Sequence, residues 1–269
     1  MKAHIVTLGC PKNTVDTEAS IALLRDAGCD VVDRPEEADL LIVSACSFLG
    51  SAWEETTEET ERLAQFKNAG SGKRLVLMGC LPVHLDTDWM AELPWVDHFL
   101  PTGGQALLPK IVEAFGQGET PARMLPATGL DRFAGYQNRS LVTPGHTAYV
   151  KIAEGCSRRC SFCAIPRIRG DMVCRRVESI VEEVERLVDN GVKEVSLLSQ
   201  DITSYTDDGR RLPDLVDAIT ATGIDWVRIY YVHPGSLSID LVRRLFDHES
   251  VCRYIEVPIQ HASDKMLKR

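Results

Sequence analysis

The sequence has no apolar run approaching the ~20 residues needed to cross a bilayer. Its opening residues, 1–8, are too short an apolar stretch for a secretory leader and run straight into a strand-then-loop pattern. It also lacks an excess of positive charge, with 30 Lys and Arg against 39 Asp and Glu and a formal net charge of −9. That balance argues against a broad nucleic-acid surface, since phosphate binding draws on basic patches. No internal repeat and no low-complexity tract is visible. A cytoplasmic setting without membrane contact is expected, and disulfides are uncommon there. The nine cysteines are therefore expected to bind metal or act in catalysis.

What is present fits two domains: 269 residues with 44% hydrophobic content. Over the first ~120 residues, strand and helix signals alternate in the manner of an open parallel sheet. Strands are expected at 4–8, 40–45, 75–78 and 98–100, a helix where Val15, Ala19, Ala22 and Leu23 recur at helical spacing before Gly28, and helices over 53–66 and 107–115. Residues 116–146 are rich in Gly, Pro, Thr and Arg without a sustained period, which marks a domain boundary. The alternation then resumes, with strands at 149–153, 195–198, 227–232 and 254–259. Helices are expected over 177–188, 213–221 and 239–246. This repeated β/α unit has the rhythm of a barrel or part of one.

The most informative run is Gly155-Cys156-Ser157-Arg158-Arg159-Cys160-Ser161-Phe162-Cys163. Three thiolates in Cys-x3-Cys-x2-Cys spacing suit an iron–sulfur cluster or zinc. No fourth cysteine lies nearby at matching spacing, so a four-ligand cluster would keep one position open for a substrate or cofactor. Zinc ribbons bring a second Cys pair or histidines. Here no pair follows and Cys174 and Cys252 stand alone, which leaves zinc or an inert group of thiols as the weaker alternatives. Arg158 and Arg159 either offset thiolate charge or line a solvated loop. Phe162 either shields the metal or packs at the barrel mouth.

Cys10, Cys46 and Cys80 look unrelated, yet each closes an apolar strand: Ile5-Val6-Thr7-Leu8-Gly9-Cys10, Leu41-Ile42-Val43-Ser44-Ala45-Cys46 and Leu75-Val76-Leu77-Met78-Gly79-Cys80. Parallel strands end on one sheet edge, where ligands bind. Three cysteines at three such ends are expected to converge, with Gly9 and Gly79 letting the backbone come close. The alternative is that they are small buried residues, as free cysteine often is.

With both sets in view, the chain resembles the radical S-adenosylmethionine methylthiotransferases along essentially its whole length. Gly9-Cys10-Pro11-Lys12-Asn13, Tyr149-Val150-Lys151-Ile152-Ala153-Glu154-Gly155-Cys156, Cys163-Ala164-Ile165-Pro166, Ser199-Gln200-Asp201-Ile202-Thr203-Ser204-Tyr205 and Pro258-Ile259-Gln260-His261-Ala262-Ser263-Asp264 are similar to one branch, the RimO type. That branch modifies an aspartate of a small-subunit ribosomal protein. The resemblance implies a Rossmann-like open parallel-sheet domain followed by a partial (β/α) radical SAM barrel. It implies two 4Fe-4S clusters, one on Cys10, Cys46 and Cys80 and one on Cys156, Cys160 and Cys163, with S-adenosylmethionine (SAM) chelating the open iron of the second. It further implies that a 5′-deoxyadenosyl radical removes hydrogen from the aspartate β-carbon and that the first cluster supplies methylated sulfur. Ser199, Gln200 and Gln260 are the expected cofactor contacts, each with ordinary loop capping or packing as its alternative. No catalytic residue is assigned beyond the cluster ligands.

The same resemblance implies a monomer served by a flavodoxin- or ferredoxin-type electron donor, with only indirect contact to RNA. Its domains are expected at 1–118 and 144–269, joined by a linker over 119–143. The barrel is expected to be C-terminally truncated, since the family continues into a small TRAM domain. A transfer-RNA adenosine methylthiotransferase and a non-catalytic iron–sulfur module remain as alternatives. Cys29, Cys174 and Cys252 fit neither cluster, and the run Glu54, Glu55, Glu58, Glu59 and Glu61 is expected to be a solvated helix face.

Overall fold

The computed structural model describes residues 1–67, 72–82, 88–126 and 129–268. They form two compact units, Met1–Val142 and Thr143–Arg269.

In the first unit the order is β1 (Lys2–Thr7), α1 (Pro11–Asp26), β2 (Asp30–Val31), β3 (Leu40–Cys46), α2 (Gly50–Ala64), β4 (Arg74–Cys80), β5 (His98–Pro101) and α3 (Leu108–Gly116). The strands pair in parallel as β2-β1-β3-β4-β5. The continuous apolar run of β3 suits a strand covered on both faces, and its period of two sorts the side chains between them. Leu40 and Ile42 join one core with Val76, Met78, Leu108 and Ile111. Leu41 and Val43 join the other with Leu75, Leu77, Leu63 and Trp89. The helices α1 and α3 pack together, while α2 covers the second face through Leu63. The exposed positions of α2 include Glu54, Glu55, Glu58 and Glu61.

The burial of α1 extends far beyond its apolar stripe. Pro11 opens it at a position where a missing N–H costs little. Asp16 and Glu18 are buried farther along, and buried carboxylates need partners. They find them in residues 131–142. The Tyr136 hydroxyl donates to Asp16 at 2.5 Å, Arg139 pairs with Glu18, and the Val142 N–H donates to Glu18 at 2.9 Å. The stretch expected as a linker over 119–143 thus belongs to the first unit as far as Val142. Its Gly- and Pro-rich composition reports irregular backbone, but not what that backbone packs against.

The second unit runs β6 (Thr147–Lys151), β7 (Ala153–Glu154), α4 (Ile165–Ile168), β8 (Val173–Cys174), α5 (Val177–Asp189), β9 (Glu194–Leu198), β10 (Thr206–Asp207), β11 (Arg210–Arg211), α6 (Leu212–Thr220), β12 (Trp226–Ile229), α7 (Ile239–Phe246), β13 (Val251–Ile255) and α8 (Asp264–Leu267). Four strands pair in parallel in chain order, β6-β9-β12-β13. Sequential neighbours joined by helices that pack α5 on α6 and α6 on α7 are the partial-barrel arrangement. The last strand lies earlier than its apolar letters suggest, at 251–255 instead of 254–259. Its pairing with β12 runs from Val227↔Val251 to Ile229↔Ile255, and Val251 and Cys252 supply its buried side chains. Among the described residues, no helix is long and apolar enough to cross a membrane.

Candidate functional site

In the first unit, the C-terminal edge of the sheet carries the three strand-end cysteines. Cys46 and Cys80 are register partners at the last rung of β3 and β4. Cys10 follows β1 and stands at the N-cap of α1, with no side-chain capping bond. Cys80 is buried, and Cys10 and Cys46 are half-buried. Gly9 has φ +89, and a Cβ there would stand 2.7 Å from the Cys46 Cβ. Only glycine lets the Cys10 backbone lie so close to the next strand. The Ser47 hydroxyl donates to the Cys80 carbonyl at 2.5 Å and Thr56 donates to the Cys46 carbonyl at 3.3 Å, which tethers the turns beyond the strands.

In the second unit, Cys156, Cys160 and Cys163 occupy the loop from β7 to β8. The loop is closed at its base by the β7–β8 pair, Ala153↔Cys174 and Glu154↔Val173, and by the Cys156 N–H donating to the Gly170 carbonyl at 3.0 Å. Cys156 is buried, Cys160 and Cys163 are half-buried, and the Cys163 N–H donates to the Cys160 carbonyl at 3.1 Å. Beneath the loop lies a fully buried charge group. Lys151 Nζ is 2.8 Å from one Glu154 oxygen, and one Arg169 nitrogen reaches both oxygens at 2.8 and 2.9 Å. Desolvation pushes the Glu154 carboxyl up, but Arg169 and Lys151 outweigh it and hold the group well below the usual carboxylate range.

Ser199 and Gln200 follow β9. The Gln200 amide donates to Glu154 at 3.1 Å, while its Oε1 and the Ser199 Oγ are buried without a hydrogen-bond partner. Buried polar atoms without partners are uncommon, and each calls for a reason. Gln260 lies beyond the end of β13, exposed and at φ +65.

The arginines of the triplet loop are paired with carboxylates. Arg158 binds Asp201 at 2.9 Å and the Ser236 hydroxyl at 2.5 Å, and Arg159 pairs with Asp171. Burial pushes the Asp201 carboxyl up, but bonds from Ser204, Thr203 and Arg158 prevail and hold it down. Phe162 is 68% exposed, so it does not pack at the barrel mouth in this structure. Cys29 lies in the sheet core, and Cys174 accepts the Thr206 N–H at 3.5 Å. Burial pushes the thiols of Cys29, Cys174, Cys252 and Cys156 all in the same upward direction. The direction of that shift therefore does not separate the three extra cysteines from Cys156, whereas position in the fold does.

Both donor sets are all sulfur. Among the described residues, no three His, Cys, Asp or Glu side chains are gathered closely enough to hold a single metal ion. A cluster asks for wider spacing, because each thiolate binds a different iron. Two contributors escaped sequence reading. Asn13 and Glu154 were visible only as letters of a motif, and nothing in spacing distinguishes a buried amide or carboxylate from a solvated one.

Gly155, at φ +78, provides a local test. A Cβ there would meet the Gly170 carbonyl oxygen at 2.6 Å. Gly155→Ala is expected to cost at least about 1–3 kcal/mol from left-handed strain alone, read as a lower urea midpoint of the metal-free protein. A parental midpoint would mean that the loop relaxes without cost.

Comparison with known proteins gives a consistent picture. Residues 2–101 match the uncharacterised protein family UPF0004, and residues 150–269 match the radical SAM superfamily. The ribosomal protein uS12 methylthiotransferase RimO of Syntrophus aciditrophicus is 41% identical over 98% of this chain and 60% of its own length. Its namesake from Sorangium cellulosum is 42% identical over 100% of this chain and 56% of its own length. The chain thus spans about three fifths of the length of the curated relatives it matches. Among solved structures, the radical SAM methyltransferase TsrM from Kitasatospora setae, with cobalamin and a [4Fe-4S] cluster bound, aligns with TM-score 0.64 at 14% identity. That alignment covers 99% of this chain and 62% of the other. The cobalamin-dependent radical SAM enzyme OxsB aligns with TM-score 0.63 at 11% identity, over 99% and 45%. At such identities the likeness is one of fold.

Proposed function

The chain belongs to the RimO-type radical SAM methylthiotransferases, and from that premise we propose that it transfers a methylthio group to the β-carbon of an aspartate in ribosomal protein uS12. The observation that carries this reading is the pair of all-cysteine sets with three thiols each, the first at the C-terminal edge of a parallel sheet and the second in the loop of the β7–β8 pair that follows β6. Cys156, Cys160 and Cys163 would hold one 4Fe-4S cluster, and Cys10, Cys46 and Cys80 a second. When bound, the clusters and SAM supply the radical chemistry and the sulfur. The chain's own residues bind, orient and exclude water.

The unpartnered Ser199 Oγ and Gln200 Oε1 suit the amino group of SAM, because a buried acceptor gains most from a charged donor. The Glu154 bond to Gln200 fixes the direction in which that amide presents its oxygen. The Arg158–Asp201 pair holds the triplet loop against the turn after β9, so the thiols and the SAM contacts keep one spacing. Gln260 is the third proposed cofactor contact. The proposed cluster domain is Met1–Val142 and the proposed radical SAM domain Thr143–Arg269, and the proposed setting is the cytoplasm. The chain would act there as a monomer with a flavodoxin- or ferredoxin-type electron donor.

The test is to reconstitute the chain anaerobically, reduce it, and add SAM with a uS12 peptide carrying the target aspartate. The expected products are 5′-deoxyadenosine and a peptide heavier by one methylthio group in place of one hydrogen. Modified adenosine in transfer RNA in place of modified peptide would reassign the substrate, and no SAM cleavage would remove the enzymatic reading.

A further inference from the structure

Asn13 is fully buried at the start of α1, and its short side chain reaches all three cysteine-bearing strand ends. Its amide nitrogen donates to the Leu8 carbonyl at 3.1 Å, just before Gly9-Cys10, and to the Ala45 carbonyl at 2.6 Å, just before Cys46. Its amide oxygen accepts from the Cys80 thiol at 3.7 Å. The orientation is chemically determined, because two carbonyls on one side demand the NH2 group there and turn the oxygen toward Cys80. Asn13 also carries its own N–H to the Cys10 carbonyl at 2.8 Å. Gly9 is needed for the same reason, since a Cβ there would come within 3.3 Å of the Asn13 amide nitrogen. Strand pairing alone aligns Cys46 with Cys80. The turn from β1 into α1 leaves the ladder after Leu8, so it has no such guide.

We propose that Asn13 is a positioning residue for the first sulfur site, tying the end of β1 to the end of β3 so that Cys10 is held at cluster spacing from Cys46 and its register partner Cys80. The Cys80 thiol bond belongs to the metal-free chain, since a ligating thiolate has no proton to donate. It touches neither substrate nor reacting atoms, and it acts through the backbone that carries the ligands. This rests on the reading that these three cysteines hold a cluster. Partners that orient ligands typically matter by about 10–100-fold in metal affinity.

The experiment uses the full chain with Cys156→Ala, Cys160→Ala and Cys163→Ala, so that iron and electron paramagnetic resonance report the first site alone. Asn13→Ala is compared in that background with Ser20→Ala. Ser20→Ala removes a buried hydroxyl from the same helix, one that bonds Asp16 and Met78 and none of the strand-end turns. Asn13→Ala is expected to lose its iron at about 10-fold lower chelator concentration or more, and the resonance of its remaining reduced cluster is expected to shift. Ser20→Ala should keep the parental chelator midpoint and spectrum. Should Asn13→Ala not be recovered folded, Asn13→Ser is read in the same way, since its hydroxyl can serve only one of the two carbonyls. Parental iron retention and spectrum in the Asn13 variant would overturn the positioning role. So would equal losses in the Ser20 variant, which would make the effect one of general stability. A parent that binds no iron would instead overturn the cluster reading itself.

Discussion

Glu154→Gln is expected to destabilise the second unit by about 3–5 kcal/mol. The carboxylate is fully buried and is shared by two cations, Lys151 and Arg169, which are themselves buried. Removing the anion takes away the carboxylate that these two cations share in a low-dielectric interior. That costs far more than the attraction lost. Against a typical domain stability of about 5–15 kcal/mol, the loss takes much of the reserve. Lys151→Met is the instructive contrast. It leaves Glu154 facing Arg169 at 2.8 and 2.9 Å, a balanced pair, and should cost clearly less. Urea unfolding of the metal-free protein followed by circular dichroism would measure both. Equal midpoints for the two variants would contradict the charge-balance argument. The group matters for function because Glu154 immediately precedes Gly155-Cys156 and receives the Gln200 amide. A disturbed floor would move the triplet and the proposed SAM contact together.

The second large effect separates the two sulfur sites. Cys46→Ala, Cys10→Ala and Cys80→Ala are each expected to remove the same cluster, about four irons per chain, and to abolish methylthio transfer. Cleavage of SAM to 5′-deoxyadenosine should persist, since the Cys156 set lies in the other unit. Cys156→Ala should do the reverse, ending SAM cleavage while keeping the irons of the first site. Cys29→Ala serves as the control. Its side chain sits among Ala3, Leu24 and Leu40 in the sheet core, and it should leave iron content at the parental value. Iron analysis and product chromatography on the same preparations would check all of these. A Cys46→Ala chain with full iron would remove the convergent-site reading, and one that lost SAM cleavage as well would mean that the sites are not independent.

Much of the architecture was legible because parallel sheets write themselves plainly. The runs that became β3 and β4 are apolar at nearly every position, as strands covered on both faces must be. The stripe of Val177, Ile180, Val184 and Leu187 lies on the buried side of α5. The displaced β13 shows the limit, since a strand begins where a neighbour offers its hydrogen bonds, and β12 ends at Ile229. Asn13, Glu18 and Glu154 show the same limit for side chains. Each would be unremarkable in solvent, and each is buried only because distant residues complete it: Ala45 and Cys80 for Asn13, Arg139 for Glu18, and Arg169 and Gln200 for Glu154.

By itself, the sequence carried the succession of most strands and helices, the parallel class of the two larger sheets, and the position of six cysteines at strand ends and in one short loop. These follow from local pattern, because hydrophobic period and turn residues act over a few positions. Only the tertiary structure decided which polar groups are buried and what satisfies them. It set the Asn13 bonds between the ends of β1 and β3, the Glu154 charge group under the triplet loop, and the packing of residues 131–142 on α1. Burial of a polar group is a property of the partners that surround it, and those partners come from elsewhere in the chain.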